Sequence, residues 1–219
     1  MEKKAKRICM SVFGVLVCGI SVGFFKRAAF GVDPFQSLMS GLDALIPINF
    51  GTLYVIVNCL LLLFSLLADK HYVGIATFIN LFLLGYVVEF SYDFLLTTFP
   101  NLAMAGRVAF FLFDILILCL ASSFYITADL GVSTYDAISL IIANTWHVWK
   151  FRYCRIVSDV VCVIIGTVLY LLAGGKVSGL TAIVGVGTIV TAFFMGPLIE
   201  FFNIHVSQPF LQKDKGSKK

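Results

Sequence analysis

The chain has 219 residues, of which 60% are hydrophobic and only 13% charged, with a net charge of +4. A soluble domain carries about a quarter charged residues, so this inventory cannot furnish a water-facing surface, and the chain reads as an integral membrane protein with the lipid bilayer as its first partner. The positive balance is no nucleic-acid footprint. Lys3, Lys4, Lys6 and Arg7 stand at one end, Lys213, Lys215, Lys218 and Lys219 at the other, and Lys150, Arg152 and Arg155 form a third group. Basic clusters beside apolar runs set orientation, and all three are expected on the cytoplasmic side.

Residues 2–7 are basic and 8–25 apolar, as in a signal peptide. No A-x-A site follows in FFKRAAFG, and 8–27 is read as the first transmembrane helix. Its Gly19 and Gly23 form a small-xxx-small pair for close helix packing. Gly31-Val32-Asp33-Pro34 breaks that helix. Asp33 is placed to cap a new one, and Pro at a first turn needs no amide donor. This next helix, 34–45, stops before Pro47 and is short for a crossing, which takes roughly 20 residues. Residues 51–68 span, carrying Asn58. Asp69-Lys70-His71 turns the chain, and 72–96 span again. After a loop with Pro100 and Gly106, 108–128 span and carry Asp114. A second short helix starts after Gly131, capped by Ser133 or Thr134, and runs to about Ala143. Residues 153–173 span with Asp159 inside, Gly174-Gly175-Lys176 turns, and 177–203 make the last span before a basic tail, 208–219.

Part of this order occurs twice. GIATFINLFLLGYVVEF at 74–90 aligns without gaps on GVGTIVTAFFMGPLIEF at 185–201, pairing Gly74 with Gly185, Thr77 with Thr188, Gly85 with Gly196 and Glu89 with Glu200. GVDPFQSLMSGL at 31–42 resembles GVSTYDAISLII at 131–142. Searching for repeats guards against misreading the fold. The expected fold is therefore all-α, a polytopic transmembrane bundle of two homologous units, 1–100 and 101–207, each with three spans and one short helix. The short helices are re-entrant, interfacial or tilted crossings. Twelve residues are few for a span, which favours six spans and inverted units over eight spans and parallel ones. The positive-inside rule does not choose, since the schemes differ by Lys70 against Arg107 alone.

Ionisable groups within apolar runs mark pathways or paired sites. Asp159 aligns with Asn58, and both are candidate substrate-binding residues or, equally, helix-packing hydrogen bonds. Asp33, Gln36 and Asp136 flank the starts of the short helices and complete the candidate set. Asp114 is read as packing or interfacial, near Arg107. Glu89 and Glu200, toward the helix ends, are expected to anchor the interface or pair with a cation there. Gly85 and Gly196 are expected to admit close helix contact, and Thr77 and Thr188 to return their hydroxyls to the preceding turn. The six cysteines show no metal or disulfide spacing, so no metal, cofactor or disulfide is expected. No HExxH, GxSxG or P-loop occurs, so no enzymatic activity is expected.

Gly31-Val32-Asp33-Pro34-Phe35 with Gly74-Ile75-Ala76-Thr77, and Gly131 to Tyr135 with Gly185-Val186-Gly187-Thr188, resemble the YczE/YyaS/YitT group of bacterial membrane proteins, in its short YczE-like form. The first unit departs from the glycine pattern at Ala76. The resemblance covers nearly the whole chain and implies a multi-pass protein of the bacterial cytoplasmic membrane, with both termini cytoplasmic, of a group associated with transport; it supplies neither substrate nor catalytic residues. Pseudosymmetric halves with short, Gly/Pro-broken segments are a frequent plan for secondary transporters. The leading expectation is thus a small-solute permease. A non-transporting accessory protein and a passive channel are the rivals.

Overall fold

A computed structural model of the chain describes residues 2–212; the lysines at 213–219 lie outside the described residues. Among the described residues there is no strand. The elements in order are α1 (Glu2–Ala28), α2 (Pro34–Leu45), α3 (Phe50–Ala68), α4 (Ile75–Thr98), α5 (Met104–Ala128), α6 (Thr134–Leu140), α7 (Phe151–Leu172), the single turn α8 (Leu180–Ile183), α9 (Val186–Phe202) and α10 (Gln208–Gln212). Six helices are long and apolar enough to cross a membrane: α1, α3, α4, α5, α7 and the composite from α9 to α10. The short α2 and α6 are not among them. The fold is an all-helical, polytopic bundle. Its surface fits only lipid: Leu67 is 80% and Leu172 72% exposed, which water would penalise by about 25 cal/mol per Å² of apolar area.

α1 and α5 pack along their length at the centre of the molecule, burying Val15 and Cys18 against Ala121 and Tyr125. Gly19 and Gly23 face Val87 and Ser91 of α4, and Ser91 donates to the carbonyl of Ile20 at 3.0 Å. The small-residue pair thus serves the α1–α4 seam.

Both chain breaks form where the sequence places them. Ala29 and Asp129 are left-handed at φ 54° and 57°, and Gly31 and Gly131 follow at φ 113° and 99°. Glycine tolerates this region where Cβ-bearing residues are strained. Asp33 caps α2 by accepting from the Gln36 amide at 3.1 Å. Ser133 caps α6 by accepting from the Asp136 amide at 3.0 Å. α6 then widens into a π-turn over Ile141–Thr145, so this short segment also extends to twelve residues, 134–145.

The breaks dock reciprocally. The Phe30 carbonyl accepts from the Gly187 amide at 2.8 Å, and the Leu130 carbonyl from the Ala76 amide at 3.0 Å. Each break therefore caps the helix that starts in the other half of the chain. Thr77 and Thr188 complete these starts. Their hydroxyls accept from the amides of Gly74 and Gly185 at 3.1 and 3.2 Å, and Thr188 donates to the Val32 carbonyl at 2.5 Å. They cap the helix starts and, as expected, also return their hydroxyls to the preceding turn, Thr77 to the Tyr72 carbonyl at 3.3 Å and Thr188 to the Ile183 carbonyl at 3.5 Å. For the same reason the last span starts at Val186 and not at 177, and the fourth helix at Ile75 and not at 72: Gly74 and Gly185 are extended.

The two ends of the bundle hold different loops. Arg7 and His71 meet Asp129 at 3.6 and 2.8 Å, Thr145 donates to Asp69 at 2.6 Å, and Lys6 lies over the Phe210 ring. The Thr145 hydroxyl, then the His71 amide, hold the Asp69 carboxyl below its ordinary range. At the far end, Arg27 binds the carbonyls of Phe99 and Pro100, and Arg107 those of Ala28 and Ala29.

Candidate functional site

The N-termini of α2 and α6 meet inside the bundle. The Phe35 and Tyr135 rings, each one residue into its helix, stack with centroids 5.1 Å apart. Beside them opens a cavity of about 1120 Å³ whose wall includes Asp33, Gln36, Tyr54, Asn58, Asp136 and Arg155. α4 forms another side of it through Asn80, Gly85 and Glu89. Pockets that bind small molecules run to about 300–1000 Å³, so a small organic solute fits with water to spare.

An ion network anchors this wall. Arg155, on α7, donates to Asp159 one turn along the same helix at 3.2 Å and to Asp136 on α6. All three are buried. Tyr125 of α5 and Ser133 also donate to Asp136. Tyr135 donates to the other oxygen of Asp159 at 2.6 Å, and its ring lies under the Arg155 guanidinium. Buried charges persist when paired and hydrogen-bonded, and this set is: one guanidinium serves two carboxylates, and both carboxylates take hydroxyl donors as well. The arrangement ties α5, α6 and α7 together at the cavity.

Asn58 joins from α3. Its side-chain oxygen accepts from Thr134 at 2.7 Å, and its amide donates to the Tyr54 carbonyl at 2.9 Å. Asn58 and Asp159 thus reach the same place, the first turn of α6, from opposite flanks. Asp33, Gln36, Asn58 and Asp136 line the cavity; Asp159 stands behind Tyr135 and Arg155, fully buried.

Several residues depart from expectation. Arg155 belongs to the buried network and not to the basic cluster with Lys150 and Arg152, because its turn of α7 faces the bundle interior. Glu200 meets Arg152 at 3.9 Å as expected, whereas Glu89 lines the cavity. Gly196 sits against the Arg152 carbonyl and the Arg155 side chain. A Cβ on its counterpart Gly85 meets nothing within 4 Å among the described residues. The reason is a difference between the halves: α7 packs on α9, while α3 and α4 make no comparable seam, and Gly85 faces the gap. Asp114 is fully buried, and among the described residues neither of its carboxylate oxygens is hydrogen-bonded. Arg107 is occupied at the Ala28 and Ala29 carbonyls.

Among the described residues no group of His, Cys, Asp and Glu is arranged to hold a metal ion. A second hollow, of about 540 Å³, lies at the far end by Arg27 and Arg107, whose guanidinium groups already bind backbone carbonyls.

A family model matches residues 5–204. The chain belongs to the Family of unknown function (DUF6198). No curated protein and no solved structure matches it. The DUF6198 match takes in both chain breaks, both short helices and every residue of the buried network.

Proposed function

We propose that this DUF6198 protein is a permease for a small cationic solute, rather than an enzyme, with the cavity beside α2 and α6 as its binding site. The observation that carries this reading is the buried Asp136–Arg155–Asp159 network at the wall of a solute-sized cavity. Charged groups at membrane depth are expensive and are kept where a pathway needs them. The sign follows from the wall. Asp33, Glu89, Asp93 and Asp136 face Lys26 and Arg155 there, and Arg155 is already shared between two carboxylates. The aromatic faces of Phe35, Tyr54 and Tyr135 add a lining suited to an organic cation.

The reciprocal docking of the two breaks supports two equivalent, inverted units, 1–100 and 101–207. The resemblance to the YczE-like group supports a bacterial cytoplasmic membrane, and the basic residues near Met1 and in the tail support cytoplasmic termini.

The test is uptake into proteoliposomes of tetramethylammonium, choline and size-matched organic anions. A cation should accumulate and the anions should not. Asp159→Asn should lower that uptake at least tenfold with the protein still in the membrane, because Arg155 then loses one of its two carboxylates. Absence of flux for every cation, together with a co-purifying protein, would replace the permease by an accessory subunit. Normal uptake by Asp159→Asn would remove Asp159 from the site.

A further inference from the structure

We propose that Asp114 is a proton-binding site, separate from the Arg155 network. Asp114 is fully buried, and neither of its oxygens has a hydrogen-bond partner among the described residues. It lies on α5 at the end of a stripe that continues through Leu118, Ser122 and Tyr125, spaced four, four and three residues apart. These three line the cavity, and that spacing keeps one helical face. On its own helix it is flanked by Phe111 and Ile115, both part of an apolar cluster with Phe25, Cys119 and Met195.

An ionised carboxylate in such surroundings is strongly disfavoured without a counter-charge. Among the described residues no cation bonds it. Arg107 and Arg27 bind backbone carbonyls. Lys26 lines the cavity, and Arg155 is held by Asp136 and Asp159. Glu200, the one titratable residue of α9, meets Arg152. Cys119, in the same apolar cluster, brings no positive charge, and His205, in the turn after α9, is exposed and bonds the Phe201 carbonyl. A metal ion is a poor alternative, since hard cations collect six or more oxygen ligands and this site offers carboxyls amid phenyl, alkyl and thiol groups. A proton needs one oxygen.

The face of α5 that carries Asp114 reaches the solute space through Leu118 and Ser122. On the permease reading, on which this coupling step rests, the proton leaves Asp114 as the cationic solute enters. One positive charge replaces another, and the carboxylate left behind gains a counter-charge. The proton site itself does not depend on transport.

Infrared titration of the purified protein in detergent tests it. The wild type should show the C=O stretch of a protonated carboxyl at neutral pH, fading as pH rises. Asp114→Asn should remove that band, and Asp114→Glu should move it. The Glu variant keeps the test valid if Asn impairs folding. A wild type without the band at neutral pH, or a band untouched by both Asp114 variants, would overturn the proposal. A negative flux assay with the band assigned to Asp114 would refute the permease and leave the proton site standing.

Discussion

Arg155 is held by two carboxylates and one aromatic face, and its burial makes it the most consequential single side chain of the network. Removing one partner of a buried ion set leaves uncompensated charge and destabilises by about 3–5 kcal/mol. Arg155→Met should therefore lower the melting temperature in detergent well beyond what Asp159→Asn does, because it strands Asp136 and Asp159 together. Equal, small shifts for both variants would mean that water reaches the network. Asn58 and Asp159 stand out in the sequence as polar residues inside apolar runs, Asp33 and Asp136 as residues flanking the starts of the short helices. Arg155 was not: it follows Trp149-Lys150-Phe151-Arg152, which reads as a headgroup cluster, and only the facing of α7 separates it from its neighbours. Tyr125 and Tyr135 were hidden too, since an aromatic residue in a transmembrane run carries no mark of the hydroxyl contact it will make. Asp114 was visible as a charge, but its lack of a partner is a property of packing.

The helices bear out the pattern of apolar runs and caps most closely where a turn residue punctuates them. α2 spans Pro34–Leu45, as its Asp-Pro start and the following Pro47 dictate. The last long helix, by contrast, begins nine residues after the expected 177, because the start at Gly185 is set by the Phe30 carbonyl from the far half of the chain. A contact across about 150 residues leaves no local trace. At Gly31 and Gly131 the positive φ and the neighbouring backbone of Gly185 and Gly74 exclude a side chain. Alanine at either position should cost about 1–3 kcal/mol in backbone strain alone, seen as a lower melting temperature in detergent. A wild-type melt for both variants would contradict the reciprocal docking. Gly85 and Gly196 make a matched pair for a second test. Leucine at Gly196 meets the α7 backbone, and overpacking of this kind costs about 1–3 kcal/mol. Leucine at Gly85 faces the gap and should leave the melt unchanged. If α4 closes on α3 during transport as α9 rests on α7, Gly85→Leu should abolish uptake while folding normally.

Six long apolar helices and two short ones inside the bundle make up the architecture. Each chain break seals the start of a helix in the other half, and the α2 and α6 N-termini meet between the halves, where the cavity opens. The membrane class was legible from composition, 60% of it hydrophobic, and the helices from apolar runs of about 20 residues. The cavity was legible only as a place, beside two broken segments at matching positions. Its open side was not, because the two halves have similar sequences and differ in whether a pair of helices closes. The most direct test of the central claim, two inverted halves around that cavity, is the sidedness of two loops. Single cysteines at Asp69 and Gly175, in a cysteine-free background, would be labelled on intact cells with an impermeant maleimide. Labelling is expected at Gly175 and not at Asp69, since these loops lie at opposite ends of the bundle and the proposed orientation puts the end holding Arg7 in the cytoplasm. Labelling at both positions would put them on one face, with parallel units and crossing short helices, and would contradict the account.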